Sequence, residues 1–380
     1  MSAVEADALP VTPAVIQWAR SRAGFSVEDA QKYFKRIAAW EAGEAAPTYV
    51  QLEQMAEKFK CPVAVFFFPA PPALPELEGS FRTLTAEDFA QIPRTVKVFL
   101  RKAQAMQLNL SELNDGRNPA DRLITRDLRF KTDTPVQEVA AAVRKYLGIS
   151  LEQQQQWVNA EDALEKWRDA LANVGIFVFK DPFHAPGYFG FCIYNDEFPV
   201  IYVNNSSTKT RQTFTLFHEL GHLLFHTSGI DVADDSYMRK MPEDFFRLEV
   251  LCNRLAGEFL LPDDEFEISA ASVPPTRESA TSLANRYKVS RELVYRKMLD
   301  RGWIGADEYS AAARAWAAQA KTSSGGDYYY NQIAYLGRRY IDLAFKRYYQ
   351  RRFDDAQLSD YLNIKPKNLS TFEMKYGGVA

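Results

Sequence analysis

The chain contains few cysteines and few histidines. Its 380 residues include three cysteines and four histidines. Cys61, Cys192 and Cys252 are widely spaced and odd in number, which argues against a disulfide framework and against a thiolate zinc site. A reducing cytoplasm is therefore the expected compartment.

The chain also lacks long apolar runs and a strong net charge. Its longest apolar run, Val63 to Phe68, is far too short to span a bilayer, and the N-terminus lacks the basic and apolar regions of a signal peptide. The net charge of -3 predicts no overall attraction to nucleic acids or membranes, so any basic surface must be local. The composition is that of a globular protein, with 47% hydrophobic and 25% charged residues.

Three of the four histidines lie in one short segment, at His218, His222 and His226. His218 and His222 belong to a His-Glu-Leu-Gly-His string. On an α-helix, positions i and i+4 lie on one face, so two imidazoles there can converge on one ion. Glu219 could then accept the proton of a water whose pKa zinc has lowered. The alternative is a chance match in a helix whose histidines merely cap or pack.

The residues around this string favour the metal site. They are apolar on nearly every face of the helix, which predicts that the helix is buried. Unpaired polar groups in an apolar core cost several kcal/mol, so the two histidines and Glu219 need partners. The apolar flanking residues are Phe214, Leu216, Phe217, Leu220, Leu223, Leu224 and Phe225.

A third ligand is expected from a second helical pattern that runs to Pro262. His226 would lie about 12 Å along the helix axis from His218, too far to share an ion. Glu249 can complete a His₂Glu site, and the amide of Asn253, one turn later, can orient a ligating histidine from outside. The alternative is an ordinary amphipathic helix with a solvated Glu249, and we expect Glu258 to be solvated.

These two patterns together resemble the ImmA/IrrE family of metallopeptidases. The resemblance rests on Phe214 to Leu224, on Glu249, Asn253 and Ala256, and on the ending Phe259 to Pro262. The second pattern of the family, E-x-E-A-N-x-F-A, is changed here at Leu251, Cys252 and Leu255. The resemblance implies a zinc endopeptidase that cuts a regulatory protein, typically a helix-turn-helix repressor or antitoxin.

The N-terminal segment resembles a helix-turn-helix domain of the xenobiotic-response-element type. Its second helix is predicted from an N-cap at Ser26 to about Phe34. Between Ala30 and Trp40 the chain is about four residues shorter than that pattern, which truncates the expected recognition helix. DNA binding and a structural or dimerising remnant both remain open, as does a homo-oligomer.

Three β-patterns precede the histidine helix, at 175–180, 188–194 and 199–203. They predict the small sheet of a zincin-like peptidase, and the segment 188–191 is either its edge strand or an interior strand. His184 and Tyr188 are candidates to stabilise an oxyanion. The predicted fold is therefore mainly helical α+β, with a zincin-like core flanked by helix-turn-helix-like domains.

Two later segments carry local basic charge. Residues 282–299 form a second helix-turn-helix pattern with Ser290 as N-cap, in which Arg286, Lys288 and Arg291 either contact phosphates or form a solvated face. A Tyr-rich helix is predicted from 328 to about Arg352, and its tyrosines either stack on bases or pack. Its cations are Arg338, Arg339, Lys346, Arg347, Arg351 and Arg352.

The patterns divide the chain into seven predicted segments. They are a helix-turn-helix-like domain (1–69), a Pro-rich linker (70–85), a helical region (86–172), the zincin-like core (173–270), a helix-turn-helix-like domain (271–320), a linker (321–327) and a basic helical domain (328–380). We expect a cytoplasmic zinc endopeptidase with a protein substrate and no membrane association. The alternative is a DNA-binding regulator or toxin-antitoxin component that binds a ligand or partner without cleaving it.

Overall fold

The computed structural model describes residues 11–59, 61, 63–71, 81, 89, 91–232, 242–319 and 326–378. The chain forms two compact units, one of residues 1–79 with 92–98 and one of residues 80–91 with 99–380. Most of the predicted linker at 70–85 lies outside the described residues. The same is true of residues 321–325 in the second predicted linker, 321–327.

The first unit contains a cluster of short helices. Ser26 accepts a hydrogen bond from the backbone N–H of Asp29 at 3.0 Å and caps the second helix, as predicted. The third helix has only five residues, in the part of the chain where the recognition helix was predicted to be truncated. The α-helices are α1 (Pro13–Arg22), α2 (Val27–Gln31), α3 (Ile37–Glu41) and α4 (Tyr49–Phe59), followed by a 3-10 helix (Val63–Phe67).

An apolar core and a largely buried ion pair hold this first unit together. The rings of Phe25 and Phe34 pack edge-on against Phe59, with centroid distances of 5.5 and 5.6 Å. Arg20 contacts Glu41 at 2.6 Å and donates to the carbonyl of Phe25 at 2.6 Å. Because Arg20 is almost fully buried, these partners compensate the removal of its charge from water.

Helices precede the sheet along the chain, within the range 86–172 that was predicted to be helical. Gly148 ends one of them in the left-handed conformation, with φ 69°, and Asn159 caps the start of another. These helices are α5 (Arg94–Leu113), α6 (Ile124–Asp127), α7 (Val136–Leu147), α8 (Leu151–Gln156) and α9 (Ala160–Asn173).

The sheet has four strands, β1 (Phe177–Asp181), β2 (Tyr188–Ile193), β3 (Val200–Asn204) and β4 (Ile230–Val232), in the order β1-β3-β2-β4. β1 and β3 are parallel, whereas β2 is antiparallel to β3 and β4. The first three strands confirm the predicted β-patterns. Segment 188–191 lies in an interior strand, so its interpretation as the edge strand is wrong. Among the described residues, the unpredicted β4 is the edge strand beside it.

Both faces of the sheet are covered. Val178, Cys192 and Ile201 belong to the main apolar core, together with apolar residues of the histidine helix. On the other face, the ring of Phe99 packs against Tyr202 of β3 at a centroid distance of 6.2 Å. This double coverage explains why the strands read as continuous apolar runs instead of alternating patterns.

The helices that follow β3 along the chain carry the predicted metal ligands and the second helix-turn-helix pattern. Ser290 caps its helix by accepting from the N–H of Leu293 at 3.0 Å, as predicted. The helices are α10 (Lys209–Leu224), α11 (Glu243–Leu260), α12 (Asp263–Ala270), α13 (Arg277–Tyr287), α14 (Arg291–Asp300) and α15 (Ala306–Gln319).

The predicted C-terminal helix is broken at Gly337, where φ is 81°. A Cβ at this position would lie 2.7 Å from the buried guanidinium of Arg168, so the close approach favours glycine. The expectation of one continuous helix to Arg352 is therefore wrong. The observed helices are α16 (Tyr328–Leu336), α17 (Arg338–Tyr349), α18 (Asp355–Tyr361) and α19 (Leu369–Gly377), with a 3-10 turn at Pro366–Asn368.

Several of the basic side chains in this segment have partners within the chain. Arg339 donates to Asn173 at 2.5 Å, Arg347 donates to the carbonyl of Leu113 at 2.6 Å, and Arg352 pairs with Asp115. These contacts favour packing over nucleic-acid binding for the three arginines.

The chain has a mainly helical α+β fold, which confirms the predicted fold class. Among the described residues, no helix is both long and apolar enough to cross a bilayer.

Candidate metal centre

Helix α10 carries the histidines on one buried face. Thr208 caps its start by accepting from the N–H of Arg211, and the residues from Thr215 to Leu224 are buried. Arg211, Thr215, His218 and His222 follow the i, i+4, i+7 and i+11 spacing of one helix face. This face points the two imidazoles toward the helix that carries Glu249.

Helix α11 is held in place by contacts at its C-terminal end. Buried Gln154 donates to the carbonyl of Leu260 at 2.9 Å, and Arg144 donates to the carbonyl of Phe259. These bonds satisfy carbonyls that the helix itself leaves without partners, and a cation there is favoured by the helix dipole. The contacts keep α11, and with it Glu249, packed against α10.

The three predicted ligands converge on one point. The Nε2 atoms of His218 and His222 are 3.2 Å apart, and the Glu249 carboxylate lies 3.3 Å from the first and 3.2 Å from the second. Three donors bound tetrahedrally to one zinc ion are roughly 3.3–3.4 Å apart. The donor set and its spacing therefore fit a metal ion of this size.

Both histidines are oriented by acceptors on their other ring nitrogen. Nδ1 of His218 lies 3.1 Å from Oδ1 of Asn253, the residue predicted for this role. Nδ1 of His222 lies 3.4 Å from the hydroxyl of Thr227, and that hydroxyl donates to the carbonyl of His222 at 3.0 Å. An acceptor at this position favours the tautomer with the proton on Nδ1, which leaves the Nε2 lone pair for a metal ion.

Glu219 lies beside the ligands and is fully buried. Among the described residues, neither of its carboxylate oxygens accepts a hydrogen bond of ordinary geometry, and the weakly donating thiol of Cys192 interacts with it. Burial raises the pKa of Glu219 above its ordinary value, although His218 and His222 oppose the shift. A buried carboxylate with so few partners is suited to accept a proton from a water or substrate.

The ligands also shift one another's pKa values. Burial acts to lower the pKa of both histidines, but the Glu249 carboxylate contributes to a net rise in each. Burial acts to raise the pKa of Glu249, but His222 and His218 hold it well below its ordinary value. A metal ion in the same position would replace the histidine protons as the positive partner of Glu249.

Two glycines allow close packing around His222. A Cβ on Gly229 would lie 2.4 Å from Cδ2 and 2.7 Å from Nε2 of His222. A Cβ on Gly221 would lie 3.0 Å from the sulfur of buried Cys252. Side chains at either position would displace the ring or the helix that positions it.

The edge strand is connected directly to the histidine helix. Asp231 of β4, 3% exposed, accepts from Arg211 at 2.6 and 2.8 Å and from the hydroxyl of Thr215 at 2.7 Å. A Cβ on neighbouring Gly190 would lie 2.4 Å from the Thr215 methyl, so the helix approaches the sheet closely here. The outer strand of the described sheet is thus held one helical turn from His218.

The two oxyanion candidates occupy different environments. Tyr188 lies in β2 opposite Val232 of the edge strand and is partly buried. His184 is exposed in the loop after β1, with a left-handed φ of 50°. Both remain candidates for this role.

The three predicted nucleic-acid contacts have partners within the chain. Arg286 donates to the side chain of Gln155 at 3.0 Å, and Lys288 donates to the Gln155 carbonyl at 3.1 Å. Burial lowers the pKa of Lys288. Arg291 donates to Gln319 at 3.2 Å. These contacts favour a structural use of the three cations.

His226 lies outside the ligand cluster, as expected, whereas Glu258 is buried. Helix α10 ends at Leu224, and His226 contacts the carbonyl of Thr125 at 3.0 Å, away from the ligand cluster. Glu258 is 7% exposed and accepts from the N–H of Asp263, so the prediction of a solvated Glu258 is wrong. It satisfies a backbone donor at the start of α12, which its position in the sequence did not reveal.

Comparison with known proteins finds a family model that matches the part of the chain around this centre. Residues 171–299 match the IrrE N-terminal-like domain, a peptidase family. We call these residues the IrrE-like domain, and it is zincin-like. It contains the four strands, both ligand-bearing helices and the three candidate ligands.

One curated relative overlaps the chain. The radiation response metalloprotease IrrE of Deinococcus radiodurans is 31% identical over 99 residues, which are 26% of this chain and 30% of the relative. The chain therefore spans less than a third of the length of that relative. The match and the relative support a metallopeptidase of the ImmA/IrrE type.

Residues of the IrrE-like domain that sequence reasoning missed include Thr227 and Asp231. Thr227 follows the histidine string by five positions, and a hydroxyl just beyond a helix end is a common way to satisfy a terminal carbonyl. Asp231 had no such signal, because its partners Arg211 and Thr215 are found only when β4 is placed beside the helix.

Proposed function

We propose that this protein is a zinc-dependent endopeptidase of the ImmA/IrrE type that cleaves a regulatory protein, a helix-turn-helix repressor or an antitoxin. The observation that supports it best is the triangle of His218, His222 and Glu249 donors with buried Glu219 beside it. The resemblance of the IrrE-like domain to metallopeptidases supports the same reaction class.

The proposed roles follow from the contacts of each side chain. His218, His222 and Glu249 hold the zinc ion, and Asn253 and Thr227 keep the imidazoles in the required tautomer. When bound, zinc polarises a peptide carbonyl and makes a nearby water more acidic. Glu219 accepts the proton of the attacking water and can return it to the departing amine. Burial favours this exchange because it raises the pKa of Glu219.

The substrate segment is proposed to bind as an extended strand. β4 is the last strand of the described sheet, and such an edge offers backbone donors and acceptors to a peptide. Asp231 ties this strand to the helix of His218, so a peptide added at β4 would lie along the ligand cluster. Tyr188 or His184 is the proposed partner of the developing oxyanion.

Metal content is the first test of this proposal. Elemental analysis of the purified chain should find about one zinc per molecule, as expected for a three-ligand catalytic site, and much less in His222→Ala and Glu249→Ala. A wild-type protein that binds no stoichiometric metal after zinc is added back would contradict the proposal.

Glu219→Gln separates metal binding from catalysis. This variant should keep zinc, because Glu219 is not among the ligands, and should lose cleavage. The measurement is a comparison of new protein N-termini in host cells that contain the wild type or Glu219→Gln at equal levels. If both cell populations show the same termini and the same phenotype, the protein acts by binding DNA or a partner and not by cleavage.

A further inference from the structure

We infer that the metal centre selects a substrate with a large apolar side chain next to the scissile bond, and that Phe246 and Val250 form the subsite for it. The inference rests on the proposed function, because it assumes a peptide lying across the ligand cluster. It identifies a specificity determinant on the helix that carries Glu249.

The register of α11 places these two residues beside the ligands. Phe246, Glu249, Val250 and Asn253 follow the i, i+3, i+4 and i+7 spacing of one helix face. Two members of this face already contact the histidines, since Glu249 lies 3.3 Å from Nε2 of His218 and Asn253 lies 3.1 Å from its Nδ1. The two apolar residues therefore lie on the same side of α11 as Glu249 and Asn253, and both are exposed.

The exposure of these residues differs from that of other apolar residues on α11. Phe246 is 38% exposed and Val250 is 37% exposed, although both are large apolar side chains. Leu248, Leu255 and Phe259 of the same helix are buried. Exposed apolar residues are common on protein surfaces, but a pair one turn apart on the helix face of the predicted metal ligands can together offer apolar area to a bound side chain.

A substrate bound as an extended strand would direct one side chain toward this subsite. Successive side chains of a strand point to opposite sides, so one of the two residues that flank the scissile bond points toward α11 when the peptide pairs with β4. That side chain meets Val250 and Phe246, where burial of apolar area is favourable and burial of a charge is not.

The experiment uses two peptidyl hydroxamates, which bind zinc directly and need no cleavable substrate. One has an isobutyl side chain next to the hydroxamate and the other has a carboxymethyl side chain. Calorimetric titration of the zinc-loaded full chain should show roughly tenfold or greater preference for the isobutyl compound. Phe246→Ser should reduce this preference, and Val250→Lys should shift it toward the carboxymethyl compound.

Ile268→Ser provides a matched control, because Ile268 is 72% exposed on α12 and lies outside the ligand-bearing face. Its preference should equal that of the wild type. Zinc content and circular dichroism of each variant show whether the site and the fold remain intact. An unchanged preference in both Phe246→Ser and Val250→Lys would overturn the inference.

The outcomes distinguish this inference from the proposed function. Binding of both hydroxamates without preference would reject the subsite and leave the zinc peptidase intact. Preferential binding in a protein that generates no new N-termini in cells would support the subsite and reject cleavage. Absence of any zinc-dependent hydroxamate binding would reject both.

Discussion

Asp231 on the edge strand holds Arg211 at the start of the histidine helix through two hydrogen bonds, at 2.6 and 2.8 Å. Thr215 adds a third bond to the same carboxylate, one turn before His218. The connection joins the two elements that the proposed peptidase must keep aligned, the outer strand of the described sheet and the predicted metal ligands. It also compensates a nearly buried negative charge close to the ligand cluster.

Loss of Asp231 should destabilise the fold more than loss of Thr215. Thr215→Val removes one hydrogen bond and should lower the free energy of unfolding by about 1 kcal/mol. Asp231→Ala also leaves Arg211 without its anion and should cost about 1–3 kcal/mol. Urea unfolding with a metal chelator present measures both values.

Asp300→Ala is the control for this comparison, because Asp300 pairs with Arg296 at 2.8 Å on the exposed surface of α14. Its effect should be about 0–1 kcal/mol. If Asp231→Ala proves no more destabilising than Asp300→Ala, the connection does not hold the edge strand to the helix.

Asn253→Ala should weaken zinc binding without removing a ligand. The change leaves Nδ1 of His218 without its acceptor, so the ring is less well oriented, and affinity should fall about 10–100-fold. Competition with a chromogenic chelator measures the affinity. Asn253→Asp keeps an oxygen acceptor and should bind zinc more tightly than Asn253→Ala. Equal affinities in wild type and Asn253→Ala would show that Asn253 does not orient the ring.

Gly229→Ala should also weaken zinc binding, although residue 229 contacts no metal. The added Cβ would lie 2.4 Å from Cδ2 of His222, so the ring must move away from its position. Affinity should fall by about tenfold or more, as for other changes that misplace a ligating histidine. Gly305→Ala is the control, because no atom lies within 4 Å of its added Cβ. Similar affinities in the two variants would contradict the close contact.

Glu165 should make stability depend on pH in the acid range. Glu165 contacts Arg168 at 2.8 Å and Lys180 at 2.7 Å. Burial acts to raise the pKa of Glu165, but the two cations lower it from an ordinary value of 4.5 to about 2. The folded state therefore binds fewer protons than the unfolded state in this range, and stability is lost as the pH falls from 4.5 through 2.

Glu165→Gln should flatten this pH dependence and lower stability at neutral pH. The side chain of Lys180 is 1% exposed, and without its anion the cost should be about 1–3 kcal/mol. Unfolding by urea at pH 7 and at several acid pH values tests both effects. The control is Glu161→Gln. Glu161 lies on the same helix as Glu165 and is an exposed partner of Lys209, so its replacement should change stability little. Parallel pH profiles of wild type and Glu165→Gln would exclude the assigned role.

The sequence was sufficient for features that depend on neighbouring residues. The spacing of His218, Glu219 and His222 is a property of one helix, so the ligand face could be predicted from helical periodicity. The caps at Ser26 and Ser290 and the first three strands are similarly local. Glu249 and Asn253 were predicted to share one helix, and the structure places both against His218.

Only the tertiary structure decided features that depend on contacts between distant segments. β4 has three residues, too few for a clear pattern, and forms by pairing with β2. Its position makes β2 an interior strand and gives Asp231 its partners on α10. The break at Gly337 and the burial of Glu258 arise in the same way, since each depends on a packed neighbour. Such contacts involve residues far apart in the chain, and local periodicity carries no information about them.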